Sequence, residues 1–316
     1  MLTSMLLPGT DFGGLWIDLC EPDDAEVRRV EARYGITIPA LSALREIESS
    51  SRLHSDGETV SMTAPIFARG ADVGKNEHWE TAPAGFILTP EVLVTVRYTR
   101  LDTFDAAVKR MQDEKDLTPR MVLVLLLEEI VDRAADQIEN VSEMAASISR
   151  TIFYTDLEHR GLDPKTAILR RTIIKLGRAA DRSSRVRYMF LSVGRMASFV
   201  EEHCKAHGDD RTQARFRSIA HDIASLDEFE TSLSGRVQFL LDAATSLIGI
   251  EQNSVVKVLT VASVIGVPPV LVVGIYGMNF KVMPELAWPW GYPFALALCV
   301  LSGVLPWLWF KWRRWI

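Results

Sequence analysis

Two uncharged apolar runs near the end of the chain, residues 258–275 and 292–310, restrict what the molecule can be; they hold 18 and 19 residues. At 1.5 Å per residue each reaches across a hydrocarbon core about 30 Å thick, the first with help from its flanks. Runs this long normally mark membrane spans rather than a buried hairpin, and aromatic residues flank the second as they do at membrane interfaces. Both are read as transmembrane helices. Residues 1–14 have no basic region and are too short for a secretory signal, so the large domain is expected to stay in the cytoplasm. Lys311, Arg313 and Arg314 follow the second run directly and place that end in the cytoplasm too. The chain is then a multi-pass protein of an inner or plasma membrane with both termini inside, and residues 276–291 form the outer connection.

Charge follows the same partition. Residues 251–316 set Glu251 and Glu285 against Lys257, Lys281, Lys311, Arg313 and Arg314, a net of +3, whereas residues 1–250 hold 30 basic and 39 acidic groups, a net of −9. An acidic body repels phosphate, which argues against nucleic acid as a partner. Cys20, Cys204 and Cys299 have neither metal spacing nor the pattern of a disulfide framework. No phosphate-binding loop, nucleophile elbow or zinc-protease motif occurs, so neither enzymatic activity nor an organic cofactor is expected.

Residues 1–100 read as an α/β cytoplasmic domain. Strands are expected over 15–19, 60–67, 85–88 and 92–98, the last two joined by Thr89-Pro90-Glu91. Pro22-Asp23-Asp24 opens a helix over 25–34 with acidic residues in its first turn. Residues 101–254 read as a helical cytoplasmic domain and stalk, with breaks near Gly161-Leu162-Asp163-Pro164 and Gly208-Asp209-Asp210. The first span covers 255–275, the outer loop 276–291, the second span 292–310 and a basic tail 311–316. No proline lies between Asp209 and Val267. One helix of about 100 Å therefore runs from the body into the first span.

That helix carries two interleaved heptad rows, Asp242, Gly249, Val256, Ser263, Val270 and Ser246, Asn253, Thr260, Val267, Gly274. A coiled-coil seam fills such positions with Leu and Ile; this one stays largely small or polar into the membrane. Small residues permit close helix packing in lipid. The better reading is a water-accessible seam shared by several copies, narrowing from Asp242 and Asn253 toward Gly274. Two spans cannot enclose a pore, so a pore requires an oligomer. Just beyond the first span, Gly277 is expected to supply the backbone freedom to leave the helix, and a ring of Asn279 amide oxygens offers neutral, hard acceptors. Mg²⁺ binds oxygen octahedrally and sheds water reluctantly, so such a ring suits a hydrated ion.

Here the chain resembles the CorA family of magnesium and cobalt channels. The resemblance rests on Tyr276-Gly277-Met278-Asn279-Phe280, on Met283-Pro284-Glu285-Leu286 followed by Trp288 and Gly291-Tyr292-Pro293, on Ile250-Glu251-Gln252-Asn253, and more loosely on Trp16-Ile17-Asp18-Leu19. It implies a homopentamer with a cytoplasmic funnel, ion selection by Gly277, Met278 and Asn279, and a pore lined by Asp242, Asn253, Val256, Thr260, Val267 and Gly274. Members also sense intracellular Mg²⁺ through acidic groups between cytoplasmic domains. At the expected stretch this chain has Ser218, His221 and Asp222, so its regulatory ligands stay unassigned.

Two further clusters have plainer readings: His203 and His207 as a solvated helix end rather than a zinc pair, and Glu128, Glu129, Asp132, Asp136, Glu139 and Glu143 as a solvated helical face. The combined expectation is a passive channel importing Mg²⁺, and with it Co²⁺ or Ni²⁺, with Glu285 at the outer mouth. Without an ATP site the ion follows its gradient, gaining about 4.6 kcal/mol per 100 mV for two charges. The alternatives are a zinc transporter of the related branch and a non-conducting membrane metal sensor whose cytoplasmic domain recruits a partner.

Overall fold

The computed structural model describes residues 2–4, 14–46, 52–69, 79–114, 116–154, 165–206, 209–279, 283–313 and 315. The chain divides into two compact units, residues 1–155 with 172–241, and residues 156–171 with 242–316.

The first unit is built on a six-stranded sheet of β1 (Leu2–Ser4), β2 (Trp16–Cys20), β3 (Leu53–Asp56), β4 (Thr59–Arg69), β5 (Trp79–Leu88) and β6 (Leu93–Arg97), in the order β1-β2-β6-β5-β4-β3. Only β2 and β6 pair in parallel. Alternation along the strands makes two faces. Ile17, Leu19, Ile87, Val94 and Val96 point to one, where they bury Val30 of α1 (Asp24–Tyr34) and Leu44 of α2 (Leu41–Leu44). Asp23 caps α1: its carboxylate accepts from the Glu26 N–H at 2.7 Å, and the Glu26 carboxylate accepts from the Asp23 N–H. On the other face Trp16 and Phe86 lie against Phe104 of α3 (Asp102–Met111), ring centroids 5.9 and 6.3 Å apart.

That face also holds a buried polar chain. Trp16 Nε1–H donates to Thr95 Oγ1, which donates to Asp18 Oδ1, both at 2.9 Å, and Arg97 Nη2 donates to Asp18 Oδ2 at 2.7 Å. These residues sit directly across β2 and β6, with Asp18 opposite Thr95. The Trp16–Leu19 segment is thus explained structurally, as a clasp on the parallel strand pair.

The strands expected at 60–67 and 92–98 match β4 and β6 closely, but β5 begins at Trp79 rather than 85. Pro83 conceals its first half. Proline is tolerated at an edge, and Pro83 lies one residue beyond the last β6 pairing, opposite Pro65, itself beyond the last β3 pairing.

Three long helices complete the fold: α4 (Pro119–Phe153), α5 (Lys165–Ala206) and α6 (Asp210–Tyr276). Their buried positions recur every seven residues. On α5 they are Leu176, Ser183, Phe190, Ala197 and Cys204, with Thr172, Ala179, Val186, Val193 and Val200; on α6 they are Phe216, Ile223, Glu230, Val237 and Ala244, with Thr212, Ile219, Leu233 and Leu240. This is coiled-coil packing. The expected break at Gly161–Pro164 lies outside the described residues.

In the second unit α6 continues through Pro268 and Pro269 to Tyr276, a 3₁₀ turn spans Pro284–Ala287, and α7 (Gly291–Trp312) follows. Both α6 and α7 contain stretches long and apolar enough to cross a membrane.

Candidate ion path

Packing between α6 and α7 decides which side of α6 remains available. A Cβ on Gly303 would stand 3.4 Å from Pro269 Cγ and 3.6 Å from the Ile265 carbonyl oxygen, ordinary contact distances, so the two helices lie against each other at this point. Pro269 cannot donate to the Ile265 carbonyl; its own carbonyl accepts from Cys299 Sγ at 3.7 Å. Val261 is buried, while Ile265, Pro268, Pro269, Val272 and Tyr276 are half-buried. At about 100° per residue these positions form one sector of α6.

The seam lies on the opposite sector. Asp242, Ser246, Asn253, Val256, Thr260, Ser263, Val267, Val270 and Gly274 are all exposed in the single chain, and only Gly249 is half-buried. Thr260 Oγ1 donates to the Val256 carbonyl and Ser263 Oγ to the Leu259 carbonyl, each at 2.8 Å. With their protons committed to the preceding turn, both hydroxyls keep lone pairs as acceptors. The face thus sets the oxygens of Asp242, Ser246, Asn253, Thr260 and Ser263 among valines and glycines, and those oxygens suit a hydrated cation.

The connection between α6 and α7 is shaped by two glycines, Gly277 and Gly291. The Gly277 N–H reaches the Val273 carbonyl at 2.9 Å and the Met278 N–H reaches the Ile275 carbonyl at 3.2 Å, so the last turn tightens before Asn279. The expectation that Gly277 provides conformational freedom is corrected here. Among the described glycines only Gly35 and Gly57 have positive φ; at Gly277 a Cβ would come 3.1 Å from the Val273 carbonyl oxygen, a tight contact that asks the turn to give by a few tenths of an ångström. At Gly291 a Cβ would collide with the Glu285 carbonyl oxygen. That glycine seats the turn carrying Glu285 on the start of α7. Met278, Asn279 and Glu285 are exposed, and Phe280 lies outside the described residues.

The end of α7 and the start of the apolar part of α6 carry aromatic and basic residues. Lys257 Nζ sits 5.5 Å from the Trp315 ring and Lys311 Nζ 5.0 Å from the Trp307 ring, while Phe310 is buried beside Trp309 and Trp315. Cation–π contact and interfacial aromatics anchor such a boundary.

The seven-residue spacing also continues backward along α6 in a way the sequence reading missed. Steps from Asp242 reach Gly235, Glu228 and His221; steps from Ser246 reach Phe239, Ser232, Ser225 and Ser218, all exposed. The same count that found the seam would have found them. Asp222 is exposed beside His221, and among the described residues no three His, Cys, Asp or Glu side chains converge to hold a metal. His207 lies outside the described residues, so the His203–His207 pair is not seen.

Part of the acidic face on α4 is tied to arginines. Arg215 Nη2 donates to both Glu128 oxygens at 2.6 and 2.7 Å, and Arg110 reaches Glu128 at 3.0 Å and Asp132 at 3.3 Å. Partial burial and the neighbouring Asp132 charge raise the Glu129 carboxyl above its ordinary range.

The profile of the family described as CorA-like Mg²⁺ transporter protein matches residues 12–313. The magnesium transport protein CorA of Escherichia coli K12 is 33% identical over 304 residues, covering 96% of this chain and 92% of that protein. The complete structure of the CorA magnesium transporter from Methanocaldococcus jannaschii superposes with a TM-score of 0.71 at 18% identity, covering 98% of this chain and 95% of that one. Full-length CmaX superposes with a TM-score of 0.68 at 15% identity, covering 99% and 91%. At these identities the two structures speak for the fold.

Proposed function

The chain belongs to the family of CorA-like Mg²⁺ transporter proteins, and from that membership we propose that it is a homopentameric channel passing Mg²⁺ passively into the cytoplasm. It sits in an inner or plasma membrane with both termini inside. Copies of the α6 seam surround the axis, and α7 lies outside them. Asn279 amide oxygens form a ring at the outer entrance, with Gly277 and Met278 setting its diameter. Mg²⁺ surrenders water reluctantly, so neutral acceptors hold the hydrated ion without trapping it. Below the ring the ion passes Gly274, Val267, Thr260, Val256, Asn253 and Asp242. Hydrated Co²⁺ and Ni²⁺ follow the same route.

Glu285 raises the cation concentration at the mouth through a field that salt screens. Intracellular Mg²⁺ acts as regulator as well as cargo, through ligands between cytoplasmic domains.

The observation that supports this reading most is the exposed seam on the side of α6 away from α7, with Asp242, Asn253, Thr260 and Ser263 among its residues and an exposed Asn279 three residues beyond the helix end. Liposomes containing only this protein test it. Mg²⁺ uptake down a gradient is expected, whereas preferential Zn²⁺ uptake would favour the zinc-transporter alternative and no flux would favour a sensor. Asn279→Ala is expected to abolish selective Mg²⁺ uptake while leaving the oligomer intact by size-exclusion chromatography. A variant that assembles and conducts Mg²⁺ like the parent removes Asn279 from the filter.

A further inference from the structure

Beside the outer end of α6, within the second unit, a half-open cavity of about 530 Å³ is lined by Val272, Tyr276, Glu285, Trp288, Tyr292 and Leu296, among others. That volume is in the range of small-molecule sites. Its lining changes character along the helix axes. Glu285, Trp288, Tyr276 and Tyr292 lie at the level where the helices end, whereas Val272, Leu296 and Cys299 lie one to two turns further along. Toward that apolar end the Cys299 Sγ–H is already donated to the Pro269 carbonyl, so an apolar occupant leaves that donor satisfied. The level of the helix ends offers one carboxylate, and indole and phenol rings that attract cations. Trp288 is held edge-on to Phe294 at 5.8 Å, and Gly291 keeps the Glu285 turn against α7.

An occupant matching this gradient has an ammonium head and a hydrocarbon body. We infer that the cavity binds a phospholipid of the outer leaflet through an ammonium-bearing headgroup, with Glu285 and Trp288 taking the ammonium and the first part of an acyl chain lying on Val272 and Leu296. The site rests on the membrane placement proposed above and not on the identity of the ion. The bound lipid stands next to Gly277, at the start of the filter segment, and so becomes part of the wall that supports it.

Native mass spectrometry of the delipidated full-length oligomer, titrated with phosphatidylethanolamine or phosphatidylglycerol, tests the assignment. The parent is expected to retain phosphatidylethanolamine preferentially. Glu285→Gln should weaken that retention about tenfold, the loss of one charge-assisted contact, without changing retention of phosphatidylglycerol. Leu296→Trp, which fills the cavity from its apolar end, should reduce retention of both lipids. Equal retention of the two lipids by the parent, or unchanged retention by both variants, overturns the site. A photoreactive group at Ala295 should crosslink to phosphatidylethanolamine; a crosslink to a second copy of the chain instead means that a neighbouring subunit fills the cavity. Mg²⁺ uptake measured on the same samples reports separately on the transport reading.

Discussion

Cys204 has no exposed surface, in a core row of α5, and burial pushes its thiol from 9.0 up to about 11. The consequence for stability has a definite sign. Between these values the unfolded chain gives up a proton that the folded chain keeps, so the contribution is whole below pH 9.0 and is lost as pH rises through about 11. That difference corresponds to about 3 kcal/mol. Thermal unfolding of the parent should therefore steepen in its pH dependence across that window, and Cys204→Ala should flatten it relative to the parent. Identical pH profiles for the two proteins would mean the thiol is not shielded as the structure shows it. Such a thiol is a packing residue, in keeping with the absence of any metal spacing around it in the sequence. Gly277 carries a similar lesson. Its position at a helix end suggested rotational freedom, but the proximity of the Val273 carbonyl becomes visible only once the last turn is built.

Among the elements, α5 and α6 are joined by a polar contact inside a mostly apolar core. Ser183 Oγ donates to Glu230 Oε1 at 2.7 Å, and Arg187 Nη1 approaches Oε2 at 3.6 Å from the rim. Both Ser183 and Glu230 occupy heptad rows and are about 1% exposed. A buried polar pair of this kind sets register. Ser183→Ala should destabilise the first unit by about 1–3 kcal/mol because it strips a partner from a buried carboxylate. Replacing the pair together, as Ser183→Ala with Glu230→Leu, should recover most of that loss; a double variant as unstable as the single one would show that the carboxylate has another function. Denaturant titration by circular dichroism reads both. The two long apolar stretches and the exposed rows of α6 were legible because length without charge and a strict repeat of seven survive in any context. The heptad rows of α5 and α6 were equally periodic, yet Ser183, Glu230 and Thr172 broke the apolar pattern, and their burial depends on partners from other helices. Leu53–Asp56 was illegible for a different reason. His54, Ser55 and Asp56 show no alternation, and the strand exists because β4 supplies its hydrogen bonds.

At the scale of the whole molecule, the chain carries a charge of −9 in residues 1–250, and α6 runs without a break from that part into its long apolar stretch. We propose that Mg²⁺ bound between acidic cytoplasmic surfaces relieves repulsion among copies and favours a closed assembly, whereas falling internal Mg²⁺ lets the helices splay near Val256, Thr260 and Val267. Protease protection of the cytoplasmic part should then rise as flux falls when internal Mg²⁺ is stepped from zero to millimolar levels; flux indifferent to internal Mg²⁺ excludes this gate. The central claim is that the ion runs along the seam of α6, and accessibility tests it most directly. In a background with Cys20, Cys204 and Cys299 replaced by Ala, single cysteines are placed at Val256, Thr260 and Val267 on the seam and at Val261, Ile265 and Val272 on the side facing α7. Mg²⁺ uptake into liposomes is then measured before and after treatment with a positively charged methanethiosulfonate. Block at the three seam positions with little effect at the other three is the predicted result; block confined to the α7-facing positions, or at none of the six, would contradict it.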